Sequence, residues 1–290
     1  MYKLRDWIDI NKLDWYYLSA NPNGLSLLEK NVDKIKWKYL SKNPSAMPLL
    51  EKNVDKIDWY YLSTNPNGLS LLEKNVDKID WDNLSLNEFA IPLLEKNRDK
   101  INWNYLSENP SAIALIEQNL DKIDWNNLSL NSRAIPILEK NLNKINWDRL
   151  SVNISALPLL EKNLHKIYRR CFSANESALP LLLKNKDKID WQNLSRNSSA
   201  LSLLEQNLDK IVWDALSGNP CAISLLKQNK DKIHWMWLSE NPSIFELDYF
   251  ALKERCSVYK EELIQVALHP SRIQKYLEQG IDFEELDNYI

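Results

Sequence analysis

Metal or nucleophilic chemistry would have to start from three histidines (His165, His234, His269) and three cysteines (Cys171, Cys221, Cys256), and their spacing supports neither. No C-x-x-C or H-x-x-x-H pair occurs, so no zinc-type ligand set is expected. Four glycines in 290 residues cannot build a phosphate-cradling G-x-G-x-x-G or Walker loop. An odd, scattered set of cysteines fits a reducing compartment better than a disulfide framework. The chain is therefore not expected to be an enzyme, and no cofactor, metal or small-molecule substrate is expected.

The polar residues that recur do so with a period of 22, set by Trp15, Trp37, Trp59, Trp81, Trp103, Trp125, Trp147, Trp191, Trp213 and Trp235, with Arg169 on the one missed beat. With the tryptophan as position 1, position 5 is Ser in all eleven copies (Ser19 to Ser239) and position 7 is Asn in all eleven (Asn21 to Asn241). Positions 17, 20 and 21 are Asn, Lys and Ile in all ten complete copies, from Asn31, Lys34 and Ile35 onward. A lysine row is suited to phosphate, and asparagine to adenine edges. However, Asp precedes that lysine in eight copies and Glu recurs at position 15 in eight, which reads as a solvated, self-paired face. Asparagines identical in every copy cannot encode a variable message, and loop and cap roles account for them.

Information about a partner belongs where the copies differ, at positions 2, 3 and 6. These share one helix face by i, i+3 and i, i+4 spacing. The face is rich in tyrosine near the N-terminus (Tyr16, Tyr17, Tyr39, Tyr60, Tyr61, Tyr105) and carries Arg149 and Trp237 farther along. Tyrosine, tryptophan and arginine are favoured at interfaces, so these residues are the candidate contact surface. The alternative is that position 3 is half-buried between neighbouring helices. The broken copy, with Arg169 and Arg170, is either a seam or bend in the array or a local site for an anion or partner.

The elements that position these residues follow from spacing. Trp59 and Leu62 are three apart, and Ala90, Leu93, Leu94 and Asn97 follow i, i+3, i+4, i+7 spacing, so both halves of a copy are helical. Helix A begins after position 22 of the preceding copy, where Asp or Asn stands before seven of eleven tryptophans as an N-cap. Proline at position 8 (Pro22, Pro44) ends helix A, and proline at position 12 (Pro48, Pro92) must lie in the first turn of helix B. Position 9 is expected to cap helix B over about positions 10 to 17, with Asn at position 17 ending it in the left-handed conformation.

One helix pair buries too little to fold alone, so the copies must stack. The expected fold is an all-α solenoid of about eleven two-helix copies, a body ~100 Å long at ~8–10 Å per copy. Its expected domains are an N-terminal half-copy cap over 1–14, a solenoid over 15–256 and a C-terminal helical cap over 257–290. That cap should hold helices near 257–268 and 270–279, the second opened by Pro270 and closed by Gly280. A net charge of −3 argues against nucleic acid as a partner, and no apolar run suggests a signal peptide or membrane span.

The unit W-x-x-L-S-x-N-P-x-A-x-x-L-L-E-x-N-x-D-K-I-x-W resembles an Asn/Lys-rich helical repeat of giant DNA viruses of the mimivirus type. Leu4-Arg5-Asp6-Trp7-Ile8-Asp9 and His269-Pro270-Ser271-Arg272-Ile273 resemble the ends of those proteins. The resemblance implies a viral origin and carries no catalytic residue. The expected role is a non-enzymatic repeat scaffold or adaptor. It would bind a protein partner, inside a host cell, through the variable face of helix A. A virion structural component, in the capsid or packaged, is the alternative, and a nucleic-acid-binding repeat protein a lower one.

Overall fold

A computed structural model describes residues 2–278 of the chain. The protein is an all-α repeat solenoid, and each copy is built the same way. Helix A starts at the tryptophan, as in Trp59–Thr64 and Trp103–Glu108. Its N-cap is the expected one: Asp58 Oδ1 accepts from the Tyr61 amide, and Asn102 Oδ1 from those of Asn104 and Tyr105.

Two local expectations are corrected. Position 7 is the second cap of the copy, not position 9. Asn43 is extended (φ −76°, ψ 115°) and its Oδ1 accepts from the Ser45 amide, opening a 3-10 turn Pro44–Ala46 that runs on into helix B, Met47–Glu51. Pro48 still sits in the first turn of that helix, because the 3-10 turn absorbs the extra residues. Asn at position 17 is not left-handed either. Asn53 has φ −136° and ψ 52°, and stops helix B by donating Nδ2 to the Leu49 carbonyl at 2.9 Å. A side-chain donor thus satisfies a carbonyl that a left-handed residue would otherwise serve through its backbone. A second 3-10 turn, such as Val54–Lys56, then leads to the next helix A.

Copies are joined by the serine of position 5 and the asparagine of position 7, both present in all eleven. The hydroxyl of Ser41 donates to the Trp37 carbonyl at 2.8 Å and accepts the Asp58 amide, at the start of the next copy, at 3.0 Å. Asn43, completely buried, uses all three side-chain hydrogen-bonding positions: Oδ1 in its cap, and Nδ2 on the Ser19 and Asn21 carbonyls of the preceding copy. Buried amides are tolerable only when paired in this way. The apolar core runs alongside, through fully buried Leu at position 4 (Leu18, Leu62, Leu106) and position 14 (Leu28, Leu72, Leu94).

This ladder has no end. Asn21, in the first copy, donates Nδ2 to the carbonyls of Ser239 and Asn241 in the eleventh, both at 3.1 Å. The Asp14 amide donates to the Ser239 hydroxyl at 2.8 Å, and helix Trp15–Ala20 packs against both Trp37–Leu40 and Trp235–Glu240. Residues Leu4–Phe245 therefore form a closed ring of eleven copies, which corrects the expected ~100 Å rod. The eleventh copy is assembled from both ends of the repeat region. Trp235–Ile244 supply its first half, and residues 5–14 its second, with the Arg5 amide on the Ile244 carbonyl at 3.0 Å and its Nε on the Ser243 carbonyl at 2.8 Å. The expected N-terminal cap is thus the missing half of the last copy. Wrapping ~9 Å steps into a circle gives a ring about 30 Å across at its inner helix axes.

The ring body differs from the expected 15–256. Of the described residues, 2–3 and 246–278 belong to a second unit. Strands Tyr2–Leu4 and Phe245–Leu247 pair, and Lys3 Nζ lies 3.5 Å from Glu246 Oε1. Helix Tyr249–Ala267 begins earlier than expected because Asp248 caps it, accepting from the Ala251 amide at 3.1 Å. Helix Pro270–Glu278 follows; Gly280, read as its stop, lies outside the described residues. Among the described residues no helix is long and apolar enough to cross a membrane.

Candidate functional site

Closure sorts the helices by radius. Adjacent A helices such as Trp59–Thr64 and Trp81–Leu86 pack closely side by side, whereas successive B helices stay farther apart. On a closed circle the layer with the shorter spacing lies at the smaller radius, so the A helices form the inner wall. Positions 1, 4 and 5 of helix A face the core, which turns positions 2, 3 and 6 toward the central opening. With side chains in place that opening is about 20 Å across, enough for one helix or an extended chain.

The invariant lysine does not use the acids beside it, contrary to the self-paired face expected. Each of the ten repeat tryptophans carries the position-20 lysine over its ring, from Lys144 on Trp125 at 4.3 Å to Lys122 on Trp103 at 5.1 Å. Lys12 on Trp235 is the closing member of the set. A flat indole beneath a flexible ammonium shields its face and gains a cation–π attraction that an exposed carboxylate pair would not exceed. The lysine row is accordingly structural.

The inner wall is neutral as a whole. Lys38, Lys42, Arg149, Arg170 and Arg196 balance Asp82, Glu108, Asp148, Asp214 and Glu240 at positions 2, 3 and 6. It is uneven in kind, however. Tyr17 lies 5.8 Å from Trp237 across the closing seam; Tyr16 meets Tyr39 edge-on at 5.5 Å; Tyr39 stacks on Tyr61 at 6.1 Å; and Tyr60 meets Tyr61 at 5.2 Å. These rings form two groups, Tyr17 with Trp237 and Tyr16 with Tyr39, Tyr61 and Tyr60, which meet at the adjacent Tyr16 and Tyr17 of the first copy and together make an aromatic arc over the eleventh, first, second and third copies. Tyr16 and Tyr60 are half-exposed, whereas Tyr17, Tyr39, Tyr61 and Trp237 are partly buried between neighbouring helices. Position 3 therefore both packs and presents an edge to the opening.

Cations border the arc. Lys36 lies over Tyr16 at 5.0 Å, Lys38 over Tyr61 at 5.3 Å, and Lys42 over Tyr39 at 5.6 Å. Arg196 reaches Trp237 at 4.7 Å from two copies away, passing the small residues Ala215 and Gly218 of the intervening copy. Two buried side-chain polar atoms lack a partner among the described residues, Asn83 Nδ2 and His234 Nδ1, and they flank this arc. His234 stands beside Trp237 (6.4 Å between rings), and Asn83 occupies position 3 of the copy after Tyr61.

The other candidate residues lie elsewhere on the ring. Tyr105 is exposed two copies beyond Tyr61, separated from the arc by Asn83. Arg149, in the seventh copy, donates Nη1 to Asn127 Oδ1 of the sixth. Arg169 holds the tryptophan's place in the eighth copy, donating Nε and Nη2 to the Ile189 carbonyl at 3.0 and 2.6 Å. The asparagine ladder passes through that copy unbroken, since Asn175 and Asn197 keep both Nδ2 bonds. Arg170, 4.0 Å from Asp190 Oδ2, lines a cleft of about 420 Å³ with Tyr168, Cys171, Gln192 and Asn193. The cleft exists because Cys171 and Ala174 are smaller than the side chains usual at positions 3 and 6. Burial and the Asp148 carboxylate raise the Cys171 thiol pKa, so the thiolate is disfavoured there.

Sequence reasoning found most members of the arc but not its continuity, and it missed Lys36, Arg196 and His234. The signal for Trp237 beside Tyr17 was present only in their shared repeat position, since the two are far apart in the chain. No protein family, curated protein or solved structure matches this chain.

Proposed function

We propose that the protein is a non-enzymatic, ring-shaped scaffold that holds a segment of a protein partner against its inner wall, anchored on the arc from Trp237 through Tyr17 and Tyr39 to Tyr61. The observation that carries this reading is the succession of tyrosine and tryptophan rings across four neighbouring copies of a concave surface, in a molecule whose other recurring residues are committed to its own ladder. Aromatic anchors on a rigid wall bind with little loss of side-chain freedom, since the rings are already held by packing. A viral, intracellular setting accompanies the proposal through the resemblance of the repeat alone.

A photo-crosslinking residue at Tyr16 or Tyr60, both half-exposed, tests it against the same residue at Val54 in the turn after helix B. Crosslinks to one partner protein from the inner-wall positions and none from Val54 are expected. Crosslinks from Val54 alone would refute the inner wall as the contact surface. Stoichiometric recovery of the chain in purified particles, with no inner-wall crosslink, would favour a virion structural role instead.

A further inference from the structure

Resting on the reading of the arc as the contact surface, we infer that the segment it takes is acidic and extended, a run of about seven residues whose carboxylates are met by Lys36, Lys38 and Lys42. Three observations lead here. Among the described residues no carboxylate lies within 4.0 Å of these three lysines, so their charges are uncompensated by ion pairs. They come from two adjacent copies and border the exposed edges of Tyr16, Tyr39 and Tyr61. Asn83 Nδ2, at one end of the arc, is a buried donor with no acceptor among the described residues, and such departures from complete pairing concentrate at functional sites.

Geometry selects an extended chain. Four of the eleven copies turn the arc through more than a third of the ring, a curve that an extended chain can follow and a straight helix cannot; on an opening ~20 Å across this is roughly 23 Å of wall, about seven residues at ~3.3 Å each. The chemistry selects a peptide over a nucleic acid. Lysines lie over Tyr16, Tyr39 and Tyr61, and Tyr39 and Tyr61 stack on each other, so these three rings have faces already occupied, and base stacking needs a free face. A long polyanion following the wall would also meet Asp82, Glu108, Asp148 and Asp214, whereas a short segment on the arc meets only Glu240 of these inner-wall acids, at the end away from Lys38 and Lys42.

A fluorescent peptide of five Glu-Ala units, its Gln-Ala counterpart and an oligothymidylate, each titrated into the full chain by anisotropy, give the test. The acidic peptide should bind, weaken as salt rises, and lose roughly tenfold in affinity in the K36A/K38A/K42A variant. A variant with Lys52, Lys74 and Lys96, at the C-terminal ends of B helices, changed to Ala should bind it as the parent does, and thermal unfolding shows whether both variants remain folded. Equal binding of the Gln-Ala peptide, tighter binding of the oligothymidylate, or an unchanged affinity in the K36A/K38A/K42A variant would each overturn the inference. A native partner crosslinked at Tyr16 or Tyr60 through a neutral or basic segment would overturn it while leaving the scaffold reading intact. Crosslinks confined to Val54 would remove both.

Discussion

Replacing Asn21 with alanine separates a ring from a rod. In a linear array Asn21 would belong to the first copy, with no preceding copy for its Nδ2, and only its cap bond to the Asn23 amide would be lost, about 1 kcal/mol. In the closed ring its Nδ2 also serves the buried carbonyls of Ser239 and Asn241. Two such bonds at ~1 kcal/mol each, added to the cap, bring the expected loss to about 3 kcal/mol, with more if the carbonyls stay dry. Asn109→Ala, in the middle of the array, loses the same three bonds and is the internal reference. Urea unfolding of the two variants against the parent measures the comparison. Closure requires the two losses to agree within ~0.5 kcal/mol. A loss of about 1 kcal/mol for Asn21→Ala beside about 3 for Asn109→Ala would refute it. Small-angle scattering on the same samples gives a second reading, since a ring ~30 Å across at its inner helices scatters as a far shorter body than a ~100 Å rod.

Two further outcomes follow from the packing. Lys100→Ala should cost about 0.5–1 kcal/mol by uncovering Trp81, whereas Asp99→Ala should change stability by less than ~0.5 kcal/mol, as thermal unfolding will show; the reverse order would restore the self-paired face. Because its pKa is raised by burial and by Asp148, Cys171 should be alkylated by iodoacetamide more slowly than exposed Cys221 at neutral pH. Its rate should keep climbing into the alkaline range as thiolate forms, and Asp148→Asn should shift the midpoint to lower pH, as peptide mapping across pH will record.

Much of a single copy was legible in the chain. Asp58 and Asn102 cap helix A where the periodicity puts a cap, and Pro44 forces Asn43 into the extended conformation that ends it. These are contacts between residues two to four apart, and local sequence suffices to specify them. Each misreading has its own physical cause. Spacing alone points to position 9 as the cap, because a helix B opened at position 7 would carry Pro48 too deep, yet a 3-10 turn with its tighter hydrogen bonds takes up the difference. Lysine was assigned to the acids next to it in sequence, while the indole it covers lies nineteen residues back, in the same copy.

The eleven-fold recurrence by itself determined that each unit is a helix pair and that Ser and Asn are spent within the array, and it marked positions 2, 3 and 6 as the ones that vary between copies. Only the tertiary structure decided that the array returns to its start, that residues 5–14 finish the copy begun at Trp235, and that Trp237 stands next to Tyr17. The reason is that every step of the ladder looks alike in sequence, whereas closure depends on the small rotation between neighbours. That angle is fixed by how side chains interdigitate, and it must accumulate over eleven copies to a full turn.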